Sequence, residues 1–347
     1  MTPDATEKLA TGQTSRWWRA TSPDATIGLM NIVFMGTPEF ARRILAHLCD
    51  HGGHSVLAVV TGPEKQFGRG RKLLRTACHD EALKRNLPVL TPQSLKEASL
   101  RQELDKLKAD LFVVAAFRIL PPSLYNLPSK GSINIHASLL PAYRGAAPIN
   151  WAIVNGERET GLTSFFLKES VDTGDMILRT KTAIGDEDTY DILHDKLADM
   201  GGPFLLETLD MIEQGKSSPI VQDDSKASRA PKISPFDAMI DWGFPAEKVR
   251  NFVRGMATKP GAYTYFRGGR LKVHSCAVAG VSAEPLRPGT ILADKKRFLI
   301  QCDRSTVELL KVVPEGRGEI DGRSFINGFH PRPDEVLGER SIATEQA

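Results

Sequence analysis

The run at 110–116, Asp-Leu-Phe-Val-Val-Ala-Ala, constrains the fold more than any other stretch of the chain. An unbroken apolar run of this length suits a strand covered on both faces, and such strands belong to parallel sheets flanked by helices. Two more segments fit the same sheet: 31–35 (Asn-Ile-Val-Phe-Met) and 55–60 (Ser-Val-Leu-Ala-Val-Val). Between them Gly36-Thr37-Pro38-Glu39 reads as a turn into a helix, with Thr37 as N-cap, Pro38 at the first helical position and Glu39 at the positive helix end. Phe40, Ile44, Leu45 and Leu48 then recur at helical spacing. Strand, helix and strand in this order make the first unit of an α/β, doubly wound and mostly parallel sheet, in which ligands sit outside the carboxyl ends of the strands. The turn at 36–39 lacks Gly-x-Gly-x-x-Gly, which argues against a dinucleotide cofactor.

Further along, 73–85 and 94–107 have helical apolar spacing and 88–90 reads as a short strand. Residues 147–155 read as a short helix carrying Trp151, and 163–168 as the next strand. Tyr190, Leu193, Leu197, Met200, Leu205, Leu206, Leu209 and Ile212 mark a long helix that Gly201-Gly202-Pro203 is expected to interrupt.

Chemistry concentrates at 131–148, Gly-Ser-Ile-Asn-Ile-His-Ala-Ser-Leu-Leu-Pro-Ala-Tyr-Arg-Gly-Ala-Ala-Pro. Ile133 and Ile135 alternate with Asn134 and His136, the period of a strand, so the amide and the imidazole share one side of the sheet. Side by side at a strand end, such a pair can polarise a carbonyl and move a proton. The plainer reading is a buried strand with two satisfied polar residues. Val171-Asp172-Thr173-Gly174-Asp175 follows as a turn signal ahead of a strand at 176–184; Asp172 reads either as a turn residue or as a partner for His136.

Asn134, His136 and Asp172 in this order, with Ser-Leu-Leu-Pro directly after Ala137, resemble the 10-formyltetrahydrofolate-dependent formyltransferases, and most specifically those that act on methionyl-tRNA. The resemblance runs from Met30 to about Phe329, and Asn-Ile-His-Ala-Ser-Leu-Leu-Pro-Ala-Tyr-Arg-Gly-Ala-Ala-Pro-Ile is its longest motif. It implies transfer of a formyl group from 10-formyltetrahydrofolate to the α-amino group of methionyl-initiator tRNA, with no metal and no covalent enzyme intermediate. Asn134 would then bind the formyl oxygen, His136 would donate to the same oxygen or pass the proton to the leaving nitrogen, and Asp172 would take the amine proton through a water. Ser138, Leu139, Leu140 and Pro141 would shape the wall against the folate, and 117–121 would line its pocket.

The segment 65–75, Lys-Gln-Phe-Gly-Arg-Gly-Arg-Lys-Leu-Leu-Arg, carries five basic residues and no acid. It reads either as a solvated basic loop or as a contact for phosphates, which needs backbone freedom and several cations. By resemblance it is the family's insertion at the tRNA acceptor end. Arg69 matches the motif arginine, and Lys65, Arg71, Lys72 and Arg75 are expected to add backbone contacts.

A chain of 347 residues suggests two domains, and a net charge of only +3 means that any nucleic-acid partner must meet a local patch. The four cysteines form no Cys-x-x-Cys pair, and no His-Glu-x-x-His occurs. This disfavours a zinc ribbon, a disulfide scaffold or a zinc-protease site and suits a reducing cytoplasm. No apolar run approaches the roughly 18 residues of a membrane span. Residues 1–29 are polar and turn-rich, without the apolar core of a signal peptide, and are expected to be disordered, with Met30 as the native start. Residues 30–221 form the expected catalytic domain and 222–235 a basic linker with Lys226, Arg229 and Lys232.

After 236 the pattern changes to a helix at 246–256 and short alternating segments at 262–266, 270–278, 290–293, 298–302 and 306–312. This suggests a small β-barrel, which by resemblance is OB-like and binds tRNA. Arg250, Arg254, Lys259, Arg267, Arg270 and Lys272 would give it a basic face; on charge alone a solvated surface fits as well. The domain is expected to end at 335, with a frayed tail at 336–347, and the protein to be a monomer. Two rival readings stand beside this one. One is a formyltransferase for a small amine, such as glycinamide ribonucleotide or an amino sugar nucleotide, or a formyltetrahydrofolate hydrolase. The other is a non-catalytic RNA-binding protein on the same fold. The basic loop and the second domain separate the first; an intact Asn, His and Asp set argues against the second.

Overall fold

A computed structural model describes residues 29–67, 72–257, 259–281, 286–292, 296–333 and 335–338. The expectations for 1–28, for Arg69 and Arg71, and for 339–347 lie outside these residues.

The first half begins with β1 (Asn31–Gly36), α1 (Glu39–His51) and β2 (Ser55–Val60), then a small hairpin of β3 (Lys65–Phe67) and β4 (Lys72–Leu74). α2 (Ala77–Lys84), β5 (Val89–Leu90), α3 (Ala98–Lys106), β6 (Leu111–Ala115), α4 (Pro122–Tyr125) and β7 (Ser132–His136) follow. α5 (Pro148–Val154), β8 (Glu159–Phe166), β9 (Met176–Ala183) and the long α6 (Tyr190–Glu213) complete it. The sheet order is β5-β2-β1-β6-β7-β8-β9. The first five strands are parallel, whereas β8 runs antiparallel to β7 and β9 antiparallel to β8. β6 is buried at every position and lies near the middle of the sheet, as its uninterrupted apolar run requires.

Three local expectations change. Helix α1 begins one residue later than its turn suggests: Pro38 occupies the cap position and no side chain caps it, so Thr37 does not act as the N-cap. The helix expected from residue 73 starts at Ala77, because Lys72–Leu74 pairs with Lys65–Phe67 and Thr76 accepts the amide of His79 as a cap. α6 is not interrupted at Gly201-Gly202-Pro203. These glycines face α1 at very short range: a Cβ on Gly202 would lie 2.4 Å from His47 Cβ, and one on Gly201 would lie 2.7 Å from Ile44 Cγ1. Close packing of two helices holds together a segment whose residues favour a break, at the cost of one backbone hydrogen bond at Pro203.

The second half holds α7 (Ala246–Gly255), β10 (Tyr263–Phe266), β11 (Gly269–Val281), β12 (Leu299–Gln301), β13 (Ser305–Pro314), β14 (Ile320–Asp321) and α8 (Gly322–Phe329). Its antiparallel sheet runs β10-β11-β13-β12, with β14 also on β13, and three register shifts bend β11 along β13 into a barrel-like curve. A core of Val249, Val253, Phe298, Ile300, Leu309 and Phe325 fills it. Leu337 is only 2% exposed in the same core, and Val336 bridges to Thr290. The ordered domain therefore passes 335, and residues 336–338 are not a frayed tail.

The two halves meet through α5 and α7. Gly255 lets them approach, since a Cβ there would lie 2.6 Å from Val154 Cγ2, and Asn150 Nδ2 donates to Gly255 O at 2.8 Å. Arg254 donates to the carbonyls of Gly185 and Asp188, and Arg250 to Asp186 O and the Glu187 carboxylate. Arg267 is held by Glu335. Much of the expected basic face of the second half is thus spent on acids and carbonyls, and two of its arginines clamp the halves together.

Candidate active site

β7 places the first two functional side chains. Ile133 and Ile135 are buried in the core under α1 and α6, so Asn134 and His136 point to the other face. There a cavity of about 640 Å³ opens at the carboxyl ends of β1, β6 and β7, lined by Pro38, Val114, Ala116, Asn134, His136 and Asp172 among others.

Asp172 arrives by a less direct route. Because β8 is antiparallel to β7, its last residue lies beside Ile133, at the wrong end of β7. The chain must return along the sheet face by roughly 10 Å, the rise of three strand residues, to reach His136. Residues 167–172 make this return, and all six line the cavity. The loop can fold back because Gly174 has no side chain: a Cβ there would fall 1.6 Å from Phe166 O. Asp172 itself sits at φ +55.

The result is a close constellation. His136 Nδ1 lies 3.8 Å from Asp172 Oδ2, and these side chains are only 7% and 11% exposed. His136 Nε2 is 2.9 Å from Tyr143 O. A carbonyl only accepts, so Nε2 carries the proton and Nδ1 is the nitrogen turned to the carboxylate. Tyr143 is fixed for this role: its φ is +63 and its hydroxyl donates to Glu157 Oε1 at 2.6 Å. Burial, and then this bond to Glu157, push the Tyr143 hydroxyl up to about 12. Asp172 Oδ2 accepts the Gly145 amide at 2.8 Å; among the described residues no group hydrogen-bonds Oδ1 or the Asn134 amide. Asn134 can therefore donate to an oxygen in the cavity, and Asp172 can accept a proton there.

Ser138, Leu139, Leu140 and Pro141 do not line this cavity. They form a turn beneath it. Ser138 Oγ donates to Ala142 O, Thr163 Oγ1 donates to Ser138 O and accepts from Leu140 N, and Leu140 is buried against Phe165 and Met176. These bonds fix the shape of the turn. The cavity is lined by 116–120 and 167–171, with Tyr190 and His194 of α6 and Phe40 of α1. Arg118 reaches out of the cavity to the carbonyls of Pro92 and Gln93.

The expected tRNA-contact residues are only partly described. Lys65 and Lys72 are placed as backbone in the β3–β4 hairpin, and Arg75 is paired with Glu64 at 2.9 Å, a half-exposed bond. The trio His54, Asp210 and Glu213 brings possible metal-ligand atoms within 4.8 Å of one another, but at the amino end of β2, away from the cavity. The described cysteines are all free, and no described helix is long and apolar enough to cross a membrane.

Two sequence families account for both halves. Residues 30–209 match the formyl transferase family and residues 232–330 the formyl transferase C-terminal domain; the chain belongs to the formyl transferases. Among its relatives, the methionyl-tRNA formyltransferase of Caldanaerobacter subterraneus subsp. tengcongensis is 44% identical over 304 residues, covering 87% of this chain and 97% of that protein. The methionyl-tRNA formyltransferase of Geobacter sulfurreducens is 41% identical over 312 residues, covering 89% and 97%. In fold the chain is similar to an N-formyltransferase of Helicobacter canadensis solved with folinic acid and dTDP-3-aminofucose, with a TM-score of 0.61 at 18% identity over 81% of this chain and 99% of that one.

Proposed function

We propose that the chain transfers the formyl group of 10-formyltetrahydrofolate to the α-amino group of methionyl-initiator tRNA, in the cytoplasm and as a monomer. The observation that carries this reading is the meeting of Asn134, His136 and Asp172 at one cavity, within a chain whose relatives named methionyl-tRNA formyltransferase align over both halves.

The chemistry follows from two needs. As the amine attacks the formyl carbon, the carbonyl oxygen gains negative charge and the nitrogen must lose a proton. The uncommitted Asn134 amide stabilises that oxygen, and a well-aimed donor of this kind contributes about 3–4 kcal/mol. The free Oδ1 of Asp172 accepts the amine proton, directly or through one water. Nε2–H of His136 is held by Tyr143 O, so the unprotonated Nδ1 beside Asp172 first receives the proton that the amine gives up, passed on by the carboxylate or a water, and then donates to the oxyanion or returns that proton to the departing N10. The folate lies between 116–120, 167–171 and the segment Ser138, Leu139, Leu140 and Pro141, and the tRNA acceptor end approaches across the basic segment 65–75, with Arg69 as its main cation and Lys65, Arg71, Lys72 and Arg75 in support. No metal enters these steps.

The test is formylation of methionyl-initiator tRNA beside methionyl-elongator tRNA, glycinamide ribonucleotide and an amino sugar nucleotide, with and without 10-formyltetrahydrofolate. Asn134→Ala, His136→Ala and Asp172→Ala are each expected to lose at least about a hundredfold in turnover while remaining folded. Faster transfer to a small amine would refute the substrate assignment, and wild-type turnover in any variant would remove that residue from the mechanism.

A further inference from the structure

We infer that Gln222, the first residue of the segment between the two halves, is a positioning residue that holds Asp172 in place against His136. The inference rests on the catalytic role proposed above for Asp172.

The need for such a residue comes from the path of the chain. Asp172 lies within the stretch that returns across the face of β7, so no strand or helix holds it. Its φ of +55 is in the left-handed region, which costs a non-glycine residue on the order of 1 kcal/mol or more. Something outside the stretch must hold this conformation.

Gln222 is placed to do so. It is only 7% exposed, although it stands in a segment that is otherwise polar and largely exposed. Its Nε2 donates to Asp172 O and to Gly174 O, both at 2.8 Å. Its Oε1 accepts from Arg144 Nε at 3.0 Å and Arg144 Nη2 at 2.8 Å. A carboxamide has two N–H donors and an oxygen with two lone pairs, so every capacity of this side chain is used. The orientation is also unambiguous: reversed, it would aim oxygen at two carbonyls and N–H groups at a guanidinium.

The bonds close a ring around Asp172. Gly145 N holds Oδ2 of the carboxylate, and the adjacent Arg144 holds Gln222, which in turn holds the Asp172 backbone. The second carbonyl in the grip belongs to Gly174, which is packed tightly against the end of β8 and serves as a fixed reference. The carboxylate is thus located from both its backbone and its side chain, which a donor-acceptor site working at hydrogen-bond reach requires.

The experiment compares Gln222→Glu and Gln222→Met, each alone and combined with Asp172→Ala. Glu keeps the size and the bonds to Arg144 but removes both donors; Met removes the donors without adding a charge, which guards against a Glu variant that fails to fold. Each protein is assayed for kcat and KM with methionyl-initiator tRNA, for tetrahydrofolate binding and for its urea midpoint. The expected result is a kcat lowered on the order of a hundredfold in Gln222→Met, with KM and folate binding within about twofold. In the Asp172→Ala background the same change is expected to lower kcat by less than about twofold, because there is no carboxylate left to place. A merely structural glutamine would lower the urea midpoint and leave kcat per folded molecule unchanged in both backgrounds. Wild-type kcat in folded Gln222→Met beside an inactive Asp172→Ala would overturn the inference alone, as would an equal loss in both backgrounds. Wild-type turnover in Asp172→Ala would remove the catalytic reading and the inference with it.

Discussion

Replacing Gly145 by alanine tests the site and the fold together. Gly145 has φ +128, and a Cβ there would lie 2.5 Å from Ala230 O and 3.0 Å from the Ala230 carbonyl carbon. Both are backbone atoms, so no rotamer change relieves the contact. The backbone conformation costs alanine about 1–3 kcal/mol. Moving Ala230 away also strains the bonds from Ala147 N to Ala230 O and from Ala230 N to Arg144 O, each contributing about 1 kcal/mol. The sum is a loss of roughly 3–5 kcal/mol. Gly53 is the control: its φ is +62 but nothing lies within 4 Å of the added Cβ. Gly53→Ala should cost only the conformational part, about 1 kcal/mol. Function should separate the two further, because Gly145 N is the donor to Asp172 Oδ2, and a shift of about 1 Å at a reacting group costs on the order of a hundredfold. Urea unfolding and single-turnover formylation under folded conditions measure both effects. If Gly145→Ala matched Gly53→Ala in stability and retained wild-type turnover, the contact between the linker and the catalytic segment would not hold the site as argued.

Two other outcomes follow from the charges. Burial pushes the thiols of Cys78, Cys276 and Cys302 and the hydroxyl of Tyr143 up to about 12 from ordinary values of 9.0 and 10.0. The folded state therefore holds these protons more tightly than the unfolded chain; the stabilisation is complete below about pH 9 and is lost as pH rises toward 12. Urea midpoints should fall steadily between about pH 9 and about pH 10.5, and a flat profile would contradict the burial argument. Arg69→Ala should raise KM for methionyl-initiator tRNA while leaving tetrahydrofolate binding unchanged; equal losses in both would count against the role of the loop.

Strand alternation alone put Asn134 and His136 on one face, and the structure adds only that this face opens on the cavity. Asp172 was readable as a partner for His136, but its route was not. The antiparallel pairing of β8 with β7 is a long-range arrangement that no local pattern carries, and that direction makes 167–172 a wall of the site. Gly201-Gly202-Pro203 misleads for a similar reason: locally the residues favour a break, and only their contact with Ile44 and His47 on α1 shows why they are small. Ser138 to Pro141 sit in the longest motif, but the hydrogen bonds from Thr163 and to Ala142 that hold them as a turn were not legible in it. Arg250 and Arg254 count as positive charge in any sequence, but their acceptors at 185–188 lie more than sixty positions away along the chain. Gln222 carried no local signal at all, because an isolated glutamine in a polar stretch looks solvated.

The stretch between the halves changes where the protein can be divided. Ser228 and Ala230 bond to Tyr143, Arg144 and Ala147, and Pro231 O accepts the indole N–H of Trp151. A fragment cut just before Gln222 would keep Asn134, His136 and Asp172 but lose the strip of chain that buttresses them. A cut that leaves this strip with the amino-terminal piece falls after Pro231, ten residues beyond the point where composition first signals a linker.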